Sequence, residues 1–143
     1  MLLTRLPQEM VQFIAEVKNW EEAIRVASKP LLEKGSIEEQ YIEVMINNVR
    51  EFGPYIVLMP KVAMPHARPE FGVNEMGISL MITEKSVPFE AGDKSANIFF
   101  VLAANDSSSH LTLLQEISDF LSNEDRVNAL LAAKSYEDLV NIF

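Results

Sequence analysis

No cysteine occurs in this 143-residue chain. Disulfides, thiolate catalysis and cysteine-ligated zinc are thereby excluded. Histidine is nearly absent too, with His66 and His110 the only two. Zinc sites ask for three or four ligands at closing spacing, and no His-x-x-x-His pair is present, so neither a metal nor a cofactor is expected. Basic residues are scarce: 12 Lys and Arg stand against 21 Asp and Glu, a formal net charge of −9. Phosphate-backbone binding wants clustered Lys and Arg, so nucleic acid is not an expected partner. No apolar run approaches the length of a membrane span, and Met1–Pro7 carries no long apolar stretch, so a cytoplasmic protein without membrane insertion is expected. A Gly-rich phosphate loop, a nucleophilic serine motif and a suggestively spaced carboxylate pair are missing as well.

What remains is a chain of one domain's length, residues 1–143, with 48% hydrophobic residues. Met10–Val17 reads as a strand with Pro7-Gln8-Glu9 leading in. Asn19 with Glu22 forms a capping box for a helix from Trp20 that buries Ala23, Ile24, Ala27 and Leu31. Pro30 cannot donate to the Val26 carbonyl, which predicts a bend or an early end, and Gly35 closes the helix. Ser36 with Glu39 reads as a second capping box, opening a helix to about Glu51. Tyr41, Met45, Asn48 and Phe52 share one stripe of it. An amide on that stripe needs partners or borders a cleft.

Tyr55–Met59 and Lys61–Met64 read as short strands, Glu75–Thr83 as a longer one, and Glu84–Ala96, with Pro88 and Gly92, as a surface connection. Asn97–Ala104 is the most continuously apolar run and the candidate central strand. Asn105-Asp106-Ser107-Ser108-Ser109, all turn or cap formers, open a helix with Leu113, Ile117 and Phe120 in one row. Short helices follow, one from Ser122–Asp125 with Val127, Leu130 and Leu131 inward, and one capped by Ser135 with Asp138. Alternating strands and helices give an α/β layer domain.

His66 lies in Met64-Pro65-His66-Ala67-Arg68-Pro69, where each proline stiffens its own φ and pushes its predecessor toward extended backbone. His110 sits in the first turn of the helix after the central strand, where unpaired N–H groups and the helix dipole favour anions. Both come at strand exits, where functional groups of open α/β sheets collect. If the two strands are parallel neighbours, the imidazoles share a cleft. A neutral imidazole is a good nucleophile near neutral pH and can take a phosphoryl group as a phosphoramidate. Arg68 and the hydroxyls of Ser108 and Ser109 are candidate phosphate contacts. Read from the residues alone, His66 as a turn histidine and His110 as a helix-capping one stay open.

Gly53–Pro60, Val62–Glu70, Phe100–Ala104, Asn105-Asp106 through His110-Leu111, Trp20–Arg25 and Leu130–Phe143 together resemble the enzyme IIA component of the sugar phosphotransferase system. The class is the mannitol–fructose (type-2) one, and the likeness is strongest to its ascorbate branch. That resemblance implies a mixed sheet flanked by helices on both faces. It implies phosphorylation of His66 by the phosphocarrier HPr and transfer to a cysteine of an enzyme IIB. A membrane enzyme IIC then takes up the sugar, L-ascorbate by the branch. His110 corresponds to the orienting, stabilising second histidine. Mannitol-type relatives carry an arginine where Asn48 stands here, so Asn48 or Arg68 is expected to contact the phosphate. Glu70, Glu75 and Asp106 are available to steer a basic partner. A regulatory module that senses phosphorylation by binding a partner protein is the alternative, and the apolar N-terminal strand leaves a homodimer open.

Overall fold

The structure, a computed structural model, describes residues 2–90 and 93–143. Five strands form one mixed sheet in the order β1-β4-β5-β3-β2. They are β1 (Val11–Ile14), β2 (Val57–Met59), β3 (Lys61–Ala63), β4 (Gly77–Pro88) and β5 (Ser95–Ala103). The run predicted to be central occupies the middle position, and every residue of β5 after Ser95 is buried. The β4–β5 and β2–β3 pairs are antiparallel, whereas β1–β4 and β3–β5 are parallel. The parallel β3–β5 pair meets the condition under which the two histidines emerge on the same side.

The helices are α1 (Trp20–Lys34), α2 (Glu39–Phe52), α3 (Ser107–Leu121), α4 (Glu124–Ala132) and α5 (Tyr136–Ile142). They cover both sheet faces. On β4, Ser79 donates to the Ala27 carbonyl of α1 and a side chain at Gly77 would meet Leu31, so odd positions face α1. Ile82, of opposite parity, shares a hollow with Leu131 of α4. Among the described residues no helix is long and apolar enough to cross a membrane.

Several boundaries differ from the sequence expectations, the first strand among them, which is limited to Val11–Ile14 because Gln8–Met10 forms a 3-10 turn. Pro30 does not end α1, which runs on to Lys34. The carbonyl that Pro30 leaves without a donor, Val26 O, accepts instead from Gln12 Nε2 of β1 at 2.6 Å. Ser36 is not an N-cap: Glu38 stands there, with no side-chain cap. Ile37 is drawn into an antiparallel bridge with Val73, and the Ser36 hydroxyl donates to Glu75 at 3.0 Å. The predicted surface connection is largely strand, since β4 continues to Pro88 and β5 begins at Ser95. A register shift between Ile82 and Val87 absorbs the charged Glu84 and Lys85, and Asn97 Nδ2 closes it by donating to the carbonyls of Thr83 (3.1 Å) and Glu84 (3.3 Å). Gly92, part of that predicted connection, lies outside the described residues. The caps at Asn19 and Ser135 form as read, Asn123 caps α4, and Gly35 closes α1 at φ +84°.

Candidate active site

Beyond Ala63 the chain leaves the sheet at a proline, which has no N–H to give β5. The Pro65 carbonyl still accepts from Leu102 N at 3.0 Å, so His66 is displayed at the carboxyl end of an inner strand rather than on a free loop. On the neighbouring strand β5 hands over to Asp106, whose side chain caps α3 by accepting from Ser109 N at 2.7 Å. His110 follows in the first turn. The two rings stand 5.2 Å apart, centroid to centroid, tilted by 49°.

His66 Nδ1 lies 2.7 Å from the Met64 carbonyl. A carbonyl only accepts, so Nδ1 carries a proton, and in the neutral ring the lone pair is then on Nε2. This tautomer is fixed by a residue two positions back, on stiff backbone. His110 is held below the usual histidine range, by burial first and then by the nearby His66. It is therefore a neutral imidazole at neutral pH, able to donate from one nitrogen only.

Both histidines line one open hollow of about 570 Å³, together with Asn48, Tyr55, Arg68, Glu70, Asp106, Ser107 and Leu111. Asn48 thus resolves as an amide bordering a cleft, while Phe52, read on the same stripe, is 68% exposed. Arg68 reaches the hollow with its side chain 78% exposed and pairs with Glu70 at 2.7 Å. An incoming anion would have to draw Arg68 away from that carboxylate.

The serine turn departs from expectation. Ser107 lines the hollow, and Ser108 and Ser109 do not. The Ser109 and Ser108 N–H groups and the Ser109 hydroxyl turn to Asp106, whose carboxyl they hold below its usual range. These three donors at the mouth of α3 are thus already engaged by a carboxylate. Glu75 is likewise away from the hollow, paired with Lys34 at 3.7 Å and bonded by Ser36.

Two tyrosines at the site were missed as site residues. Tyr55 packs edge-on against His66, with centroids 5.9 Å apart, and its hydroxyl lies 3.4 Å from the His66 carbonyl. Burial pushes its phenol up, partly offset by a hydrogen bond with Asn48. Tyr41, fully buried beneath the segment, has its phenol pushed up to about 12, by burial first. Its place on the Asn48 stripe was the only signal in the sequence.

The model of the family "Phosphoenolpyruvate-dependent sugar phosphotransferase system, EIIA 2" matches residues 5–143. The chain is 38% identical over 136 residues to the mannitol-specific cryptic phosphotransferase enzyme IIA component of Escherichia coli strain K12, covering 95% of this chain and 92% of that protein. It is 32% identical over 136 residues to the ascorbate-specific PTS system EIIA component of Salmonella choleraesuis, covering 92% and 88%. The solution structure of the mannitol-specific cryptic enzyme IIA from Escherichia coli superposes with a TM-score of 0.92 at 37% identity, over 99% of this chain and 96% of that one.

Proposed function

The chain belongs to the EIIA 2 family of the phosphoenolpyruvate-dependent sugar phosphotransferase system, and from that premise we propose that it carries a phosphoryl group on His66 Nε2. The observation that carries this reading is the Nδ1 contact with the Met64 carbonyl, which leaves Nε2 as the one nucleophilic nitrogen of a ring that lines the hollow. In the first step the Nε2 lone pair attacks the phosphorus of phospho-HPr in line. The Nε2–P bond forms as the donor's N–P bond breaks, and that electron pair stays on the donor imidazole. In the second, a cysteine thiolate of an enzyme IIB attacks the phosphorus and the pair returns to Nε2. The domain contributes positioning and charge stabilisation, with both partners meeting it in the cytoplasm.

His110 donates to the phosphoryl oxygens and orients the group. Arg68 exchanges Glu70 for the phosphoryl charge, and Asn48 supplies an amide where mannitol-type relatives carry arginine. The sugar is taken up by a membrane enzyme IIC. Asn48 favours L-ascorbate; the 38% identity to a mannitol-specific relative favours a polyol.

The test is phosphotransfer from phosphoenolpyruvate through enzyme I and HPr, read as acid-labile, base-stable phosphate on this protein. Label is expected on wild type and on His110→Ala, at a reduced rate in the latter, and none on His66→Ala. Label persisting on His66→Ala would move the acceptor elsewhere. No label on wild type with a competent HPr would overturn the carrier reading in favour of a regulatory module.

A further inference from the structure

The β3–β5 register does not stop where the strand does. Val62 pairs with Ile98 and Ala63 with Phe99, and the same register continued sets His66 opposite Leu102. In a parallel ladder, a residue whose N–H donates to the carbonyl before its partner accepts, on its own carbonyl, from the N–H after that partner. Leu102 N does donate to Pro65 O at 3.0 Å. The Leu102 carbonyl should then receive the Ala67 N–H. It does not. The Tyr41 hydroxyl stands between them, accepting from Ala67 N at 2.9 Å and donating to Leu102 O at 2.8 Å. The Ala67 carbonyl lies 3.1 Å from the same oxygen.

One buried hydroxyl therefore replaces one rung of the ladder at the position of His66. The rung before it is already altered, since Pro65 has no N–H. We propose that Tyr41 is a positioning residue for the phosphoryl acceptor, wedging the His66 segment one hydroxyl away from β5 and so setting the gap between the two imidazoles. The proposal rests on His66 being the acceptor. The Tyr41 hydroxyl bonds to backbone groups of Ala67 and Leu102 and to neither ring. It acts through Ala67 on one side and through the carbonyl end of β5, which leads to Asp106 and His110, on the other.

Removing the hydroxyl leaves the buried Leu102 carbonyl and the part-buried Ala67 N–H to find each other or water, and either response displaces His66 relative to His110. Reactions dependent on in-line geometry lose about 10²-fold for a misplacement near 1 Å. Tyr41→Phe is therefore expected to lower the maximal rate of phosphoryl acceptance about 10- to 100-fold, with the half-saturating concentration of phospho-HPr unchanged. In ¹⁵N NMR the Ala67 amide and the His66 ring nitrogens should shift together. Ile46→Val, a buried change on the same helix, is the control for lost stability and should transfer at the wild-type rate. Replacement of Tyr41 by 4-aminophenylalanine, which keeps a donor and a lone pair, should restore most of the rate. The proposal is overturned if Tyr41→Phe transfers at the wild-type rate, if Ala67 and His66 resonances stay in place, or if Ile46→Val loses as much. Should wild type accept no phosphate, the carrier reading falls while the Ala67 and His66 resonances still decide what Tyr41 positions.

Discussion

His110 carries a consequence for stability as well as for transfer. Its folded pKa lies below the 6.5 of a free histidine, by burial and then by the neighbouring His66. Between the two values the unfolded chain binds a proton that the folded chain refuses, so stability rises with pH across that window. It is complete above the unfolded value and is lost as pH falls through 6.5 toward the folded one. Melting temperature should therefore drop on going from about pH 7.5 to about 5.5, ahead of most carboxylate titration. His110→Gln, which cannot charge, should flatten that slope, and an unaltered slope would show that the depression is not felt by the fold. That the two histidines are the candidates for one site was legible because so few residues compete for it, and the structure brings them together. Tyr41 was not, because an aromatic on an apolar stripe reads as core whether or not its hydroxyl does anything else. The serine turn was incompletely legible for the opposite reason: its N–H groups and hydroxyls were counted as donors to an anion, whereas Asp106, next to them in sequence, already draws the Ser108 and Ser109 N–H groups and the Ser109 hydroxyl.

Elements obey local signals until a distant group offers something better. Asn19 and Gly35 delimit α1 as the sequence reads, but Pro30 does not stop it, because Gln12 from β1 satisfies the orphaned Val26 carbonyl. That donor comes from another strand, so no reading of the helix alone finds it. Ser36 and Glu39 have the spacing of a capping box, yet Val73 competes for the backbone next to Ser36 and wins with a bridge. The Gln12 contact can be measured. Gln12→Ala should cost about 1 kcal/mol in urea unfolding, the penalty for a part-buried carbonyl left unmet. In a Pro30→Ala background a backbone N–H is available to Val26, and the cost of Gln12→Ala should shrink to within about 0.5 kcal/mol of zero. Equal costs in both backgrounds would mean that water, not Gln12, serves that carbonyl.

At the scale of the molecule, the parallel adjacency of β3 and β5 turns two isolated histidines into a pair. Sequence set that adjacency only as a condition, because strand order depends on long-range pairing that no local pattern encodes. Charge acts on the same scale. A chain of net −9 surrounds a hollow whose own lining includes Glu70 and Asp106 alongside Arg68. Such a rim adds little affinity to a wet interface but biases encounter toward donors that present positive charge. If HPr docks by a basic face, phosphoryl transfer at limiting HPr should slow about tenfold or more as ionic strength rises from ~0.01 M to ~1 M. The Debye length shrinks across that range from about 30 Å to about 3 Å. At saturating HPr the rate should barely move, because encounter no longer limits it. Stopped-flow quench at the two concentrations separates these cases. A rate that rises with salt at limiting HPr would mean that like charges meet, and that the acidic surface serves solubility rather than steering.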